Sequence, residues 1–184
     1  SRHGWIGCES SRAKSEESGL SSDRLNTVSR AGTTLIHGGR EDVMSNIETV
    51  QEIYAAIGRG DIPAVLEVLA DSVEWEYGVN STDVPWLQPG CGRAYVAELF
   101  AKLALLLEIH QLQRTAFLES GNIVVVLFDL EMTVKATGRK IVEEDEVNIW
   151  HFNSEGRVSR FRHRSDTHQH MLANGAEVAR VAAG

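Results

Sequence analysis

From Met44 onward the hydrophobic positions fall into regular periods. The stretch SNIETVQEIYAAIGRGD places Ile47, Val50, Ile53, Tyr54 and Ile57 on one side of a helix, with Ser45 or Asn46 at its N-cap. Gly58 and Gly60 end that helix. Asp61 can cap a second one, because Pro63 has no backbone donor to lose in a first turn and Ala64, Val65, Leu66, Val68 and Leu69 supply an apolar side. From Ser72 the period changes to two, with Val73, Trp75 and Tyr77 alternating with Glu74 and Glu76 as in a half-buried strand. A loop rich in turn formers follows and carries Trp86 and Leu87 in its middle. In GRAYVAELFAKLALLLE, Val96, Leu99, Phe100, Leu103, Leu106 and Leu107 return at helical spacing, which predicts a third helix packed on a sheet.

The rest of the chain supplies that sheet. Extended stretches at residues 110–119, 122–136, 140–152 and 157–164 are separated by Ser120-Gly121, Thr137-Gly138 and Asn153-Ser154-Glu155-Gly156, which are hairpin-turn compositions. Long consecutive strands joined by such turns run antiparallel. Asp166 can cap a short last helix starting near Thr167, and the small-residue tail from Ala173 is expected to fray. The order is helix, helix, strand, helix, four strands: an α+β chain.

Before Met44 the composition is different. Residues 1–43 are rich in Ser, Gly and Arg, their apolar residues are isolated, and no period is sustained. They are expected to be a disordered or non-native extension, followed by one domain over 44–172 and a tail over 173–184. A chain of 184 residues, 42% of them hydrophobic, has room for one core of the usual ~100–150-residue size. The net charge of -8 speaks against a nucleic-acid partner, which needs a basic face to neutralise phosphates. Cys8 and Cys91 form no CxxC and have no His at ligand spacing, so neither a disulfide framework nor a structural zinc is indicated and a cytoplasmic home is expected. The apolar run over 101–107 is far shorter than the ~20 residues of a membrane span, so no membrane partner is expected.

Alternation also sorts the residues able to do chemistry. Around Asn148, Glu144, Glu146, Trp150 and Phe152 share its face, while Val147, Ile149 and His151 share the other. On the last strand Phe161, His163 and Ser165 lie opposite Arg160, Arg162 and Arg164. His163 is thereby expected among Phe161, Trp75 and Tyr77, where an imidazole can take or give a proton near neutral pH. Asn148 is a permanently neutral donor and acceptor that can polarise a carbonyl or hydroxyl. Asp166 either orients His163 or only caps the last helix. Trp75, Tyr77, Trp86, Phe100, Trp150 and Phe161 are expected to line an apolar pocket for a small organic ligand, with Glu146 at its mouth. His163, Asp166, His168 and His170 match no defined metal spacing, so neither metal nor cofactor is expected. Val147, Ile149 and the run over 123–127 exceed what one buried face needs, which predicts a homodimer through the outer sheet face.

The stretch VQEIYAAIGRGDIPAVLEVLADSVEWEY, the later GRAYVAELF and the final WHFNSEGRVSRFR resemble, together and in order, the SnoaL-like and ketosteroid-isomerase-like members of the NTF2-like superfamily over residues 44–172. The resemblance implies a cone-shaped barrel, in which a curved antiparallel sheet wraps three helices around a blind apolar cavity, and commonly a homodimer. Steroid isomerases of this fold pair a helix-one Tyr with a protonated Asp in an oxyanion hole, and an apolar site keeps that Asp neutral so that it can donate its hydrogen bond. Here that Asp falls on Asn148, the Tyr nearest Ile53 with Tyr54 one residue off, and the base near Glu76. Limonene-epoxide hydrolase is similar in the last two strands, and the Arg and first Asp of its Asp-Arg-Asp relay fall near Glu146 and Asn148, with the second Asp near His163. The His and Asp chemistry of SnoaL-type cyclases and dehydratases is echoed by His163 with Asp166.

Two functions follow as expectations. One is a cofactor-independent acid/base enzyme, of isomerase, dehydratase, cyclase or hydrolase type, acting on a small apolar ring compound. The other is a non-catalytic dimer that holds a hydrophobic ligand.

Overall fold

The computed structural model describes residues 44–76 and 83–175. The chain divides between residues 43 and 44, and the second unit is the one described. The predicted disorder of residues 1–43, the position of Tyr77 and most of the predicted tail lie outside the described residues.

The helix ends follow the sequence signals. In α1 (Asn46–Arg59) Ser45 accepts from the Glu48 amide at 3.2 Å, and the Glu48 carboxylate accepts from the Ser45 amide at 2.8 Å, a reciprocal capping box. Gly60 closes the helix in a left-handed conformation, with φ of 73°, that a side chain would disfavour. Asp61 then caps α2 (Ile62–Glu67) by accepting from the Ala64 amide. Leu69, expected in that helix, instead opens β1 (Leu69–Glu76), which begins three residues before the predicted strand. The two-residue β2 (Gly90–Cys91) precedes α3 (Arg93–Leu106), β3 (Leu107–Ser120), β4 (Ile123–Val134), β5 (Lys140–Phe152), β6 (Val158–Arg164) and α4 (Thr167–Ala173). The leucine run crosses directly from α3 into β3 at Leu107, where the backbone becomes extended.

The sheet has the order β2-β1-β6-β5-β4-β3. Two expectations are corrected here. The sheet is not closed into a barrel, since β2 and β3 are its edges. Nor is it wholly antiparallel, because β1 runs parallel to β6, with Trp75 opposite Phe161. Hairpin turns fix the directions of β3 to β6, but α3 and four strands separate β1 from β6 in sequence, so no turn dictates their relative sense. The described residues hold four helices, the last of them the short one expected after Asp166.

Alternation along β4 is regular, with Val124, Val126, Phe128, Leu130, Met132 and Val134 inward. Along β5 it breaks. The pairing with β4 slips between Phe128 and Leu130, and Asp145 takes a left-handed conformation with φ of 55°. This bulge puts both Glu143 and Glu146 inside, 5% and 4% exposed, and leaves Glu144 outside. Glu144 therefore does not share the face of Asn148 as strict alternation predicts. With register shifts in β3 as well, the strands bend and the sheet curves over its helices.

Candidate functional site

Between the inner sheet face, α1 and α3 lies a cavity of about 550 Å³. Its wall is aromatic on one side: Trp75 stacks on Phe161 at 4.2 Å between ring centres, and Trp150 meets Trp75 edge to face at 5.8 Å. Phe100 of α3 closes on Trp75 at 6.2 Å. No Lys, Arg, Asp or Glu lines the cavity among the described residues. Among the described lining residues, polar side-chain groups enter through Tyr54, Asn148, His163, His170 and the indole nitrogens.

Two polar pairs stand next to each other on β5 and β6. Asn148 and His163 are register partners on the two strands, so their side chains emerge as neighbours on the same face. Asn148 Nδ2 donates to Tyr54 Oη at 2.7 Å. Counting placed Tyr54 one residue off the cavity, but it lines the cavity and is 5% exposed. Burial pushes its hydroxyl up to about 12, against the smaller opposing effect of the Asn148 bond, so it keeps its proton through the neutral range. Beside this pair, His163 Nε2 lies 2.9 Å from Glu146 Oε2, both side chains buried. Burial is also the main reason the imidazole is pushed down to about 3, with the electrostatic effects of His170 and Arg164 acting in the same direction and Glu143 opposing. His163 is therefore neutral at pH 7.

Asp166 is not the carboxylate that meets His163. It is exposed, accepts from the His168 and Gln169 amides, and caps α4. Glu146, expected as a pocket-mouth carboxylate, takes the place beside the imidazole instead. Trp75, Trp86, Phe100, Asn148, Trp150, Phe161 and His163 all line the cavity. Tyr54, Glu143 and His170 were not among the site residues expected from the sequence. The apolar face of α1 included Tyr54, whereas nothing in the spacing of Glu143 announces the bulge that turns it inward.

A second polar chain runs beside the first. Trp86 Nε1 donates to His170 Nδ1 at 2.8 Å, His170 Nε2 faces Glu143 Oε2 at 3.4 Å, and Glu143 Oε1 accepts from the Asp166 amide at 3.0 Å. Glu143, Glu146 and His170 bring donor atoms within 4.8 Å of one another. That grouping has the composition of a metal centre, but an indole nitrogen is only ever a donor, so His170 must accept at Nδ1 and carry its proton at Nε2. A metal ligand would need Nε2 bare and Nδ1 protonated. The donor set fits a hydrogen-bonded chain rather than a metal cradle. Glu146 Oε1 is buried and has no hydrogen-bond partner among the described residues.

The fold is shared with solved structures. An NTF2-like protein of unknown function from Burkholderia pseudomallei K96243 is 29% identical, with a TM-score of 0.64 over 72% of this chain and 100% of that one. TerC, co-crystallised with polyporic acid, is 24% identical, with a TM-score of 0.62 over 71% of this chain and 98% of that one. A candidate polyketide cyclase from Pseudomonas putida KT2440 is 18% identical, with a TM-score of 0.55 over 71% and 98%. At the last two identities the likeness is one of fold. No curated protein matches the chain significantly. No described helix is long and apolar enough to cross a membrane. The profile of the SnoaL-like domain matches residues 50–161, more than half of the sequence, and the chain belongs to that SnoaL-like family of the NTF2-like superfamily.

Proposed function

We propose that this chain is a cofactor-independent acid/base enzyme, of the cyclase, isomerase, dehydratase or hydrolase type, acting on a small uncharged ring compound. The observation that carries the reading is the convergence of the His163–Glu146 and Tyr54–Asn148 pairs on one end of an otherwise apolar cavity without formal charge. A flat apolar ring packs against Trp75, Trp150 and Phe161, while an oxygen on it is held at the polar end. Tyr54 donates a hydrogen bond from its hydroxyl to that oxygen, and Asn148 holds the phenol in place. Neutral His163 takes a proton from the adjacent ligand atom. Glu146 accepts from the Nε2–H, fixes the tautomer that leaves the lone pair on Nδ1, and offsets the imidazolium charge as it develops. TerC's co-crystallisation with polyporic acid supports a ring ligand in this fold.

The same chain is proposed to work as a homodimer through the outer face of β3, β4 and β5, whose apolar rows exceed what one buried face needs.

The test begins with native mass spectrometry of protein purified without added ligand, which identifies any retained compound by mass. That compound, or failing one a panel of hydroxylated bicyclic ketones, is then incubated with the protein in D2O. Conversion or deuterium incorporation by the unmodified protein, lost in His163→Gln while binding persists, is the expected result. Equal behaviour of the two proteins would sink the catalytic reading and leave a ligand-holding dimer.

A further inference from the structure

A regular strand cannot send residues three apart to the same face, yet Glu143 and Glu146 both point inward, each facing a cavity-lining imidazole. The device that allows this is local. At Asp145 the β5 backbone adopts φ of 55°, and the pairing with β4 skips there, with Phe128 opposite Glu146 but Leu130 opposite Glu143. Asp129 faces the extra residue. Its Oδ1 accepts the Asp145 amide at 3.1 Å, the amide that the interrupted ladder leaves without its regular partner. Asp and Asn are the residues other than glycine that tolerate this conformation best, whereas a β-branched residue is strongly disfavoured in it.

We infer that Asp145, latched by Asp129, is the positioning residue of the acid/base pair: its left-handed turn sets Glu146 on His163 and Glu143 on His170. If β5 ran as an unbroken strand in the Asn148 register, Glu146 would keep its face but Glu144 would replace Glu143, and the pitch of the strand at Glu146 would change. The bulge thus selects which second carboxylate enters and fixes the approach of the first. This role rests on the reading of His163 and Glu146 as the acid/base pair, but its test requires no substrate.

The experiment records the imidazole N–H of His163 in full-length protein labelled with 15N-histidine, assigned by its loss in His163→Gln. A hydrogen-bonded, slowly exchanging Nε2–H signal is expected in the unmodified protein. Asp145→Gly and Asp145→Asn, which accept the left-handed conformation, retain it. Asp145→Val loses it while the aromatic core signals of Trp75 and Trp150 persist. Asp129→Ala, which removes only the latch, weakens it, and adding Asp145→Gly restores it; this comparison decides the matter should Asp145→Val fail to fold. A His163 signal unmoved in folded Asp145→Val, or in Asp129→Ala if that is the folded variant, overturns the inference, because a merely structural bulge would change stability alone. Should the signals behave as expected while His163→Gln still turns over ligand, the positioning stands and the catalytic reading falls.

Discussion

His163 holds an unusual balance for a residue that titrates near neutrality when exposed. The unfolded chain protonates it near its ordinary value of 6.5, whereas burial delays protonation in the folded protein to about 3. The unfolded state therefore binds the extra proton between those values, and folding stability rises with pH across that window. The contribution is complete above pH 6.5 and is lost as the pH falls toward 3, at up to about 1.4 kcal/mol per pH unit. Urea unfolding midpoints measured from pH 7 to pH 4 should decline steeply in the unmodified protein and less steeply in His163→Gln, with equal slopes counting against the burial effect. Tyr54→Phe removes the acceptor of the buried Asn148 amide. It should lower stability by about 1–3 kcal/mol in the same assay, the penalty for an unpaired buried donor. Alternation put Asn148 and His163 on the inner face because burial alternates regularly on β6 and the second half of β5. Sequence reasoning misjudged Tyr54, since a one-residue error in a family alignment turns a helix by about 100°, and it misassigned the partner of His163, since the carboxylate close in sequence, Asp166, is not the one that meets the imidazole, which is Glu146, 17 positions away.

Among the elements, the ones whose ends are set by local chemistry were the ones legible in the sequence. Ser45, Asp61 and Asp166 cap α1, α2 and α4 where the residue types predict. Ser45→Ala should accordingly cost about 0.5–2 kcal/mol, measured by thermal or urea unfolding. The opening of β3 at Leu107 was hidden, because a leucine run satisfies helix and strand equally and the switch is decided by the antiparallel pairing with Val134. The bulge in β5 was hidden for a related reason: Asp145 lies in an acidic run that reads as a solvated strand end, and only its pairing partner shows the extra residue. The segment around Trp86 is also tied by a long-range contact, its indole bonded to His170 on α4 across 84 positions. Trp86→Phe keeps most of the apolar contact and deletes the donor. Amide exchange in α4, measured at His170 and Asn174, should then accelerate while exchange in β4 is unchanged, and unaltered exchange in α4 would mean that the bond does not secure the helix.

The whole-molecule pattern that the sequence announced, helices first and a sheet wrapped against them, was legible because amphipathic periods and hairpin compositions are local signals. The open edge and the parallel β1–β6 pair were not, since they depend on residues far apart in the chain. The outer sheet face leads to a prediction at the same scale. Register sets Leu118, Val125, Ile149 and Arg162 in one row across four strands, and Ala116, Leu127, Val147 and Arg164 in the next. Leu118 is 58% exposed. The arginine ends of these rows are already matched by Glu76, whose carboxylate lies 3.8 Å from Arg162 and 2.9 Å from Arg164. A second copy related by a two-fold axis would lay apolar row against apolar row and leave those ion pairs at the rim, where charge costs little to keep hydrated. Sedimentation velocity of the full chain should therefore show a dimer, and Ile149→Asp, which puts a charge in the middle of the rows, should show a monomer that still binds ring compounds in its cavity. A monomer before substitution would remove the proposed dimer, whereas a dimer unaffected by Ile149→Asp would move the interface to another surface.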